Sequence, residues 1–161
     1  GGARGPREPP DLNRVVRTIA DLSRHLIVKA TDRFVLDLQE DLPLISADRI
    51  GLEQVVLNLL HNACLALPDK KRGIRISTRF DREPNTLRVA VEDQGTGVAP
   101  EDLQRLGDPF YTTRGEQGGT GLGLSVSRRI LREHGGTMSF TSTPGRGTTA
   151  TVTLPATPGN D

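Results

Sequence analysis

Residues 48–67, DRIGLEQVVLNLLHNACLAL, decide how the rest of the chain is read. Leu52, Val55, Val56, Leu59, Leu60 and Ala63 recur at helical spacing and form one apolar stripe. Asp48 stands where an N-cap belongs, and Pro68 follows the end of the run. The spacing predicts a helix over Asp48 to Leu67. Asn58 and Asn62 lie four apart on it, so both amides project from the same face and could share one ligand. An amide oxygen is a hard, neutral donor suited to Mg²⁺ bound together with phosphate oxygens, where the metal keeps several waters and takes few protein ligands. Two polar residues on the solvent side of an amphipathic helix would give the same pattern.

Upstream, DLNRVVRTIADLSRHLI carries Leu12, Val15, Val16, Ile19, Leu22 and Leu26 at helical spacing, which predicts one helix over residues 11–27. Arg33 to Leu38 then alternates as a strand. Downstream, Ile74 to Phe80 and Leu87 to Val91 alternate on either side of the turn-forming DREPN and read as an antiparallel hairpin. A polar, Gly-rich stretch from Asp93 to Thr120 is longer than an ordinary connection, and such loops are usually functional or mobile. A further helix, Leu122 to His134, is closed by Gly135 and Gly136, and the strands Thr137 to Thr143 and Thr148 to Leu154 follow. Helices plus a mainly antiparallel sheet pack most economically as a two-layer α/β sandwich, in the α+β class. Residues 1–10, GGARGPREPP, read as a linker or cloning scar, residues 11–156 as one domain, and residues 157–161 as a disordered tail.

Bulk composition agrees with a single domain: 161 residues with 34% hydrophobic content suffice for one core. Twenty-one basic and 20 acidic residues leave a net charge of +1, so no broad field favours nucleic acid or an anionic membrane. An anionic ligand must be held by local geometry. The single cysteine, Cys64, forms no internal disulfide and no zinc cluster, which fits a reducing compartment, and it reads as core packing. No apolar run approaches the roughly 20 residues that span a bilayer. The sequence is that of a soluble, cytoplasmic piece.

Two further segments carry chemistry. In DQGTGV, residues 93–98, an acid at a strand end precedes alternate glycines. Gly95 and Gly97 would let backbone approach a flat ligand. A carboxylate at Asp93 would accept from an exocyclic amine such as that of adenine and reject a carbonyl there; an ordinary Asp-Gly turn is the plainer reading. In DPFYTTRGEQGGTGLGLSVSRRI, residues 108–130, a glycine cluster opens onto a helix, an arrangement that binds phosphate through backbone N–H groups. It has neither the lysine of a P-loop nor the spacing of a dinucleotide-binding turn.

Together and in this order, these elements resemble the catalytic domains of sensor histidine kinases, within the superfamily that also holds DNA gyrase, the Hsp90 chaperones and the MutL repair ATPases. QVVLNLLHNACLAL is similar to the family's asparagine box, DQGTGV to its first glycine box, DPFYTTR to its phenylalanine box and GGTGLGL to its second glycine box. The likeness runs from about Asp11 to Pro155. It implies a Bergerat-type sandwich with a mobile ATP lid, and Mg²⁺-ATP as the bound pair. Carried over by position, Asn62 is implied as the principal Mg²⁺ ligand, with Asn58 assisting at the phosphates. Asp93 would read the adenine amine, Gly95 and Gly97 would shape its pocket, Ala66 would line it, and Thr148 would support Asp93. Phe110, Thr113, Gly119 and Thr120 fall in the lid between Asp108 and Thr120. Arg114 would offer a cation to the phosphates, and Gly121, Leu122 and Gly123 would present the helix start.

The NAxxAL ending of the asparagine box resembles the nitrogen-regulation type of sensor kinase. Gyrase, Hsp90 and MutL relatives carry a water-activating glutamate where this chain has Asn58, so hydrolysis is expected to be slow. Transfer to an imidazole, already nucleophilic at neutral pH, needs less help. None of the histidines sits in a phosphoacceptor box: His25 lacks its acidic neighbour, His61 belongs to the asparagine box, and His134 reads as a helix C-terminal residue. The resemblance therefore implies a partner, the histidine-bearing dimerisation domain of the same parent kinase, and beyond it a response-regulator receiver domain. Neither nucleic acid nor direct membrane contact is expected, and the isolated domain is expected to be a monomer, its parent membrane-anchored or soluble. The competing functions are a gyrase-like or Hsp90-like ATPase, an anti-sigma-like serine kinase, and a degenerate nucleotide-binding docking module.

Overall fold

The structure is a computed structural model that describes residues 9–103, 105 and 122–157. Helix α1 (Leu12–Leu22) begins at Asp11, whose carboxylate accepts from the amides of Asn13 and Arg14. Such a cap satisfies donors that the first helical turn leaves orphaned. The single helix expected over residues 11–27 is divided. Ser23 leaves helical geometry (φ −96°, ψ 10°), and a second helix, α2 (Arg24–Ala30), begins after it. The break buries Ile27 and turns Leu22 out to solvent.

β1 (Phe34–Leu38) pairs in parallel with β2 (Ile74–Asp81). Parallel strands need a long crossover, and here it is α3 (Arg49–Ala66), capped by Asp48 through the amide of Gly51. β2 and β3 (Thr86–Asp93) form the expected hairpin, with β2 one residue longer at the turn and β3 longer at both ends than the alternation alone indicates. Next come the short α4 (Pro100–Leu103), which the sequence reading did not anticipate, then α5 (Leu122–Glu133), β4 (Thr137–Thr143) and β5 (Gly147–Pro155). Among the described residues the strands make one sheet in the order β1-β2-β3-β5-β4, antiparallel except for the first pair.

One face of this sheet is apolar because alternate residues fall into cross-strand rows. Ile76, Val91 and Ala150 form one row, Val89, Val152 and Met138 the next, and Leu87 with Leu154 a third. All are buried under the helices, with α3 lying between α1 and α5. The polar exception is Thr78. Its hydroxyl donates to Asn13 Oδ1 at 2.7 Å and accepts from the amide of Gln39 at 3.1 Å, while Asn13 Nδ2 donates to the Gln39 carbonyl at 2.8 Å. A buried polar pair so satisfied ties α1 to the end of β1 without leaving an orphan. The opposite face of the sheet is polar. Arg75 and Arg79 pair with Asp37 there, Arg75 with Glu92, and Arg88 with Asp81.

Contacts at the two ends of the described chain bring them together beside the loop before α3. Pro10 is buried and its carbonyl accepts from Ile45, Ala156 is buried against the Ile45 bridge, and the Thr157 amide donates to the Leu44 carbonyl. No helix among the described residues is long and apolar enough to cross a membrane.

Candidate functional site

Where β3 ends, the sheet and helices part around a recess of about 40 Å³. α3 contributes Leu59, Asn62 and Ala63; the sheet contributes Val91, Asp93, Phe140, Thr148 and Ala150; Val98 and Leu124 complete the lining. It is thus an apolar recess with an amide, a carboxylate and a hydroxyl in its wall.

Asp93 is fixed by its own turn. Its Oδ1 accepts from the Gly95 amide at 2.9 Å and from the Thr148 amide at 3.4 Å, across the β3–β5 register pair that Asp93 makes with Thr148. Gly95 is needed for close approach: a Cβ there would lie 2.6 Å from the Ala66 carbonyl oxygen and 2.7 Å from Asp93 Oδ1. Gly97 takes φ +78°, and a Cβ would meet the Thr143 carbonyl at 2.4 Å. Ala66 serves this loop through its backbone, accepting from the Thr96 amide at 3.3 Å.

Ser142, which the sequence reading passed over, organises the far wall. Its Oγ accepts from the Val98 amide at 2.7 Å, donates to the Gly147 carbonyl at 2.9 Å, and lies 2.8 Å from Thr148 Oγ1. A hydroxyl has one proton, and Ser142 spends it on Gly147, so Thr148 is the donor between the two hydroxyls. Its lone pairs then remain as acceptors beside the Asp93 carboxylate. Nothing in the sequence marked Ser142, because its partners meet only once β4 pairs with β5.

The two asparagines of α3 are put to different uses. Asn62 lines the recess. Asn58 faces α5: its Nδ2 donates to the Gly123 carbonyl at 2.9 Å and to Ser127 Oγ at 3.0 Å, and its Oδ1 accepts from Gln54 Nε2 at 2.9 Å. Ser127 is fully buried, so this latch fastens the first turn of α5 to α3. Gln54 stands four residues before Asn58 on the same face, a spacing that could have revealed it.

Phe140 is steadied by Arg128, whose guanidinium carbon lies 5.6 Å from the ring centroid and whose Nη1 donates to the Met138 carbonyl at 3.3 Å. Cys64 is buried next to the site; burial, followed by the negative charge of Asp93, pushes its thiol up to about 11. His134 bonds the Ile130 carbonyl through Nδ1 at 2.7 Å in the last turn of α5. Phe110, Thr113, Arg114, Gly119, Thr120 and Gly121, with the whole of the expected lid from Asp108 to Thr120, lie outside the described residues; Leu122 opens α5. No group of three or more His, Cys, Asp or Glu among the described residues is arranged to hold a metal, so an ion here would rely on amide and ligand oxygens.

Residues 47–158 match the family model described as histidine kinase-, DNA gyrase B-, and HSP90-like ATPase. The chain belongs to this family, and its mixed sheet under helices is the Bergerat arrangement of histidine kinase catalytic domains. Among individual relatives, it is 34% identical to sporulation kinase E of Bacillus subtilis (strain 168) over 148 residues, covering 92% of this chain and 20% of that protein. It is 37% identical to the signal transduction histidine-protein kinase AtoS of Escherichia coli (strain K12) over 147 residues, covering 91% of this chain and 24% of that one. The solved catalytic domain of histidine kinase ThkA superposes with a TM-score of 0.79 at 30% identity, covering 91% of this chain and 95% of that one. Full-length ShkA in complex with AMPPNP superposes with a TM-score of 0.82 at 27% identity, covering 95% of this chain and 32% of that one. The chain thus spans about a fifth to a quarter of the length of these two curated relatives.

Proposed function

We propose that this domain binds ATP with Mg²⁺ and donates the γ-phosphoryl group to a histidine on a separate helical dimerisation domain of its parent kinase, from which a receiver aspartate takes it. The observation that carries the reading is the recess itself, in which Asp93 and Thr148 set acceptors into an apolar wall beside Asn62. Such a recess admits the edge of a flat ring. Acceptors there favour the adenine amine, while a base presenting a carbonyl would leave them unpaired.

Each residue then has a task. Asp93 and Thr148 orient the base, and the glycines keep its approach open. Asn62, in the recess wall, would offer its amide oxygen to Mg²⁺, which would neutralise charge on the transferring group. Asn58 acts through α5, holding the Gly123 turn so that its N–H groups stay available to phosphate. With an amide and not a carboxylate at position 58, no base orients water, and the acceptor is a nucleophile in its own right. The full-length neighbour ShkA was solved with AMPPNP, which supports the nucleotide part of the reading. The NACLAL ending supports a nitrogen-regulation subtype. We read the domain as a cytoplasmic monomer that meets its histidine in the parent chain or in trans.

Calorimetric titration with AMPPNP, first with Mg²⁺ and then with EDTA, tests this on the native chain and on Asp93→Asn. The expected result is saturable binding selective for adenine over guanine and weakened by both changes. Transfer of label from ATP to a cognate histidine fragment, as acid-labile phosphohistidine, is expected to follow. No binding at millimolar nucleotide would overturn the kinase reading in favour of a docking module.

A further inference from the structure

The polar face of the sheet is not uniform. At the end where Asp93 lies, the rim of the sheet and its first outward rows border an open cleft of about 610 Å³ whose charged residues are Arg33, Arg75, Glu92, Asp93 and Arg146. Arg75 is engaged with Asp37 and Glu92. Arg33 and Arg146 are exposed, and neither has an acidic partner among the described residues. Opposite charges are otherwise matched across this face, so two unmatched guanidiniums in one cleft stand out.

Their separation follows from the strand order. Arg33 immediately precedes β1 and Arg146 immediately precedes β5, with β2 and β3 between. Three interstrand steps put their backbones about 14 Å apart. Two acidic groups at that spacing meet both arginines without either side chain leaving its own strand. An extended peptide rises about 3.3 Å per residue, so two acidic side chains four residues apart match it. Between the arginines the cleft offers Glu92, half exposed, which favours a neutral or basic residue at the centre of the ligand. A nucleic acid strand carries a charge on every nucleotide and would set phosphate over Glu92. With a net charge of +1, the chain also offers little of the basic excess on which nucleic acid binding relies.

We propose that this cleft docks an extended acidic segment of a partner protein, with two acidic residues four apart on Arg33 and Arg146 and a non-acidic centre over Glu92. Guanidinium forks suit carboxylates, and the threonines of β4 and β5 that floor the cleft offer hydroxyls to the peptide backbone. The cleft and the recess share Asp93 and Thr148 at this end of the sheet, but Arg33 and Arg146 line the cleft alone, so a docking test on the two arginines reads neither nucleotide binding nor phosphoryl transfer.

The test uses the whole chain and a fluorescein-labelled peptide, Ser-Glu-Thr-Lys-Thr-Glu-Ser, followed by fluorescence anisotropy at low salt. Saturable binding below millimolar concentration is expected. Arg33→Glu and Arg146→Glu are each expected to weaken it by roughly fivefold, the size of turning an exposed attraction into a repulsion. Arg17→Glu, the same charge change on α1, is expected to leave it unchanged. A peptide with its two glutamates adjacent is expected to bind more weakly. Absence of saturable binding, equal loss in Arg17→Glu, or equal affinity for the adjacent-glutamate peptide would each overturn the proposal. So would displacement by a single-stranded oligonucleotide that binds more tightly than the peptide, which would assign the cleft to nucleic acid.

Discussion

Adding a methyl group at Gly95 and at Gly123 separates close packing from helical preference within one site. At Gly95 the new Cβ would stand 2.6 Å from the Ala66 carbonyl oxygen, 2.7 Å from Asp93 Oδ1 and 2.9 Å from Ala66 Cβ. Two of these neighbours belong to α3 and the third to the carboxylate that the Gly95 amide holds, so relief requires the turn to lift from the helix. Overpacking of this kind costs about 1–3 kcal/mol. For a chain of 161 residues, about 2 kcal/mol lowers Tm by about 4–8 °C. Asp93 would be displaced with the turn, and a loss of about 1.4 kcal/mol at the base would weaken AMPPNP about tenfold. At Gly123 the nearest atom to a new Cβ is Asn58 Cγ at 3.7 Å, an ordinary contact, and alanine is the better helix former by up to about 1 kcal/mol. Gly123→Ala is therefore expected to melt with, or a few degrees above, the native chain. Differential scanning fluorimetry with parallel calorimetry measures both. If Gly95→Ala melted with the native chain and bound AMPPNP equally well, the packing of Ala66, Gly95 and Asp93 described above would be wrong.

Ser142→Ala removes the acceptor of the Val98 amide and the partner of the Thr148 hydroxyl together. AMPPNP affinity is expected to fall by roughly three- to tenfold, about one net hydrogen bond, and Ser142→Thr to restore part of it in calorimetry. Asp37 lies beside Arg79 and Arg75, whose hydrogen bonds hold its carboxyl below the usual value of 3.8. A depressed carboxyl contributes stability above its unfolded value and loses it as pH falls through the folded one. The Tm difference between native chain and Asp37→Asn is therefore expected to close as pH drops below 3.8, and to shrink in high salt; a difference constant with pH would contradict this. Cys64, raised from 9.0 to about 11, contributes stability below pH 9.0 that is lost as pH rises toward 11. Iodoacetamide at mildly alkaline pH is expected to spare it in the native chain and label it in urea, as read by mass spectrometry.

The apolar stripe of α3, the alternation of β2 and β3 and the glycine stop after α5 were legible because each depends on residues close together in the chain. The turn at Ser23 was not. Periodicity runs through it without a gap, and only the demand that Ile27 reach the core dictates the break. Asp93, Gly95 and Asn62 could be placed at one site because a short motif carries each. Asn58 resisted, since helical spacing gives its direction from α3 but says nothing of α5, which packs there and takes up its amide. Ser142 and Gly147 gain their roles from strand register, which no local pattern encodes.

Because α3 is the crossover between the parallel strands β1 and β2, the helix that carries Asn62 is enclosed by its own chain on both sides. It cannot swing out as a hinged piece: freeing it means unzipping the β1 edge. In native-state hydrogen exchange, the amides of α3 and β1 are expected to open as one cooperative unit near the global unfolding free energy. Such a unit keeps the α3 wall of the recess in place while a ligand enters and leaves, so Asn62 holds its position in the bound and the free domain alike.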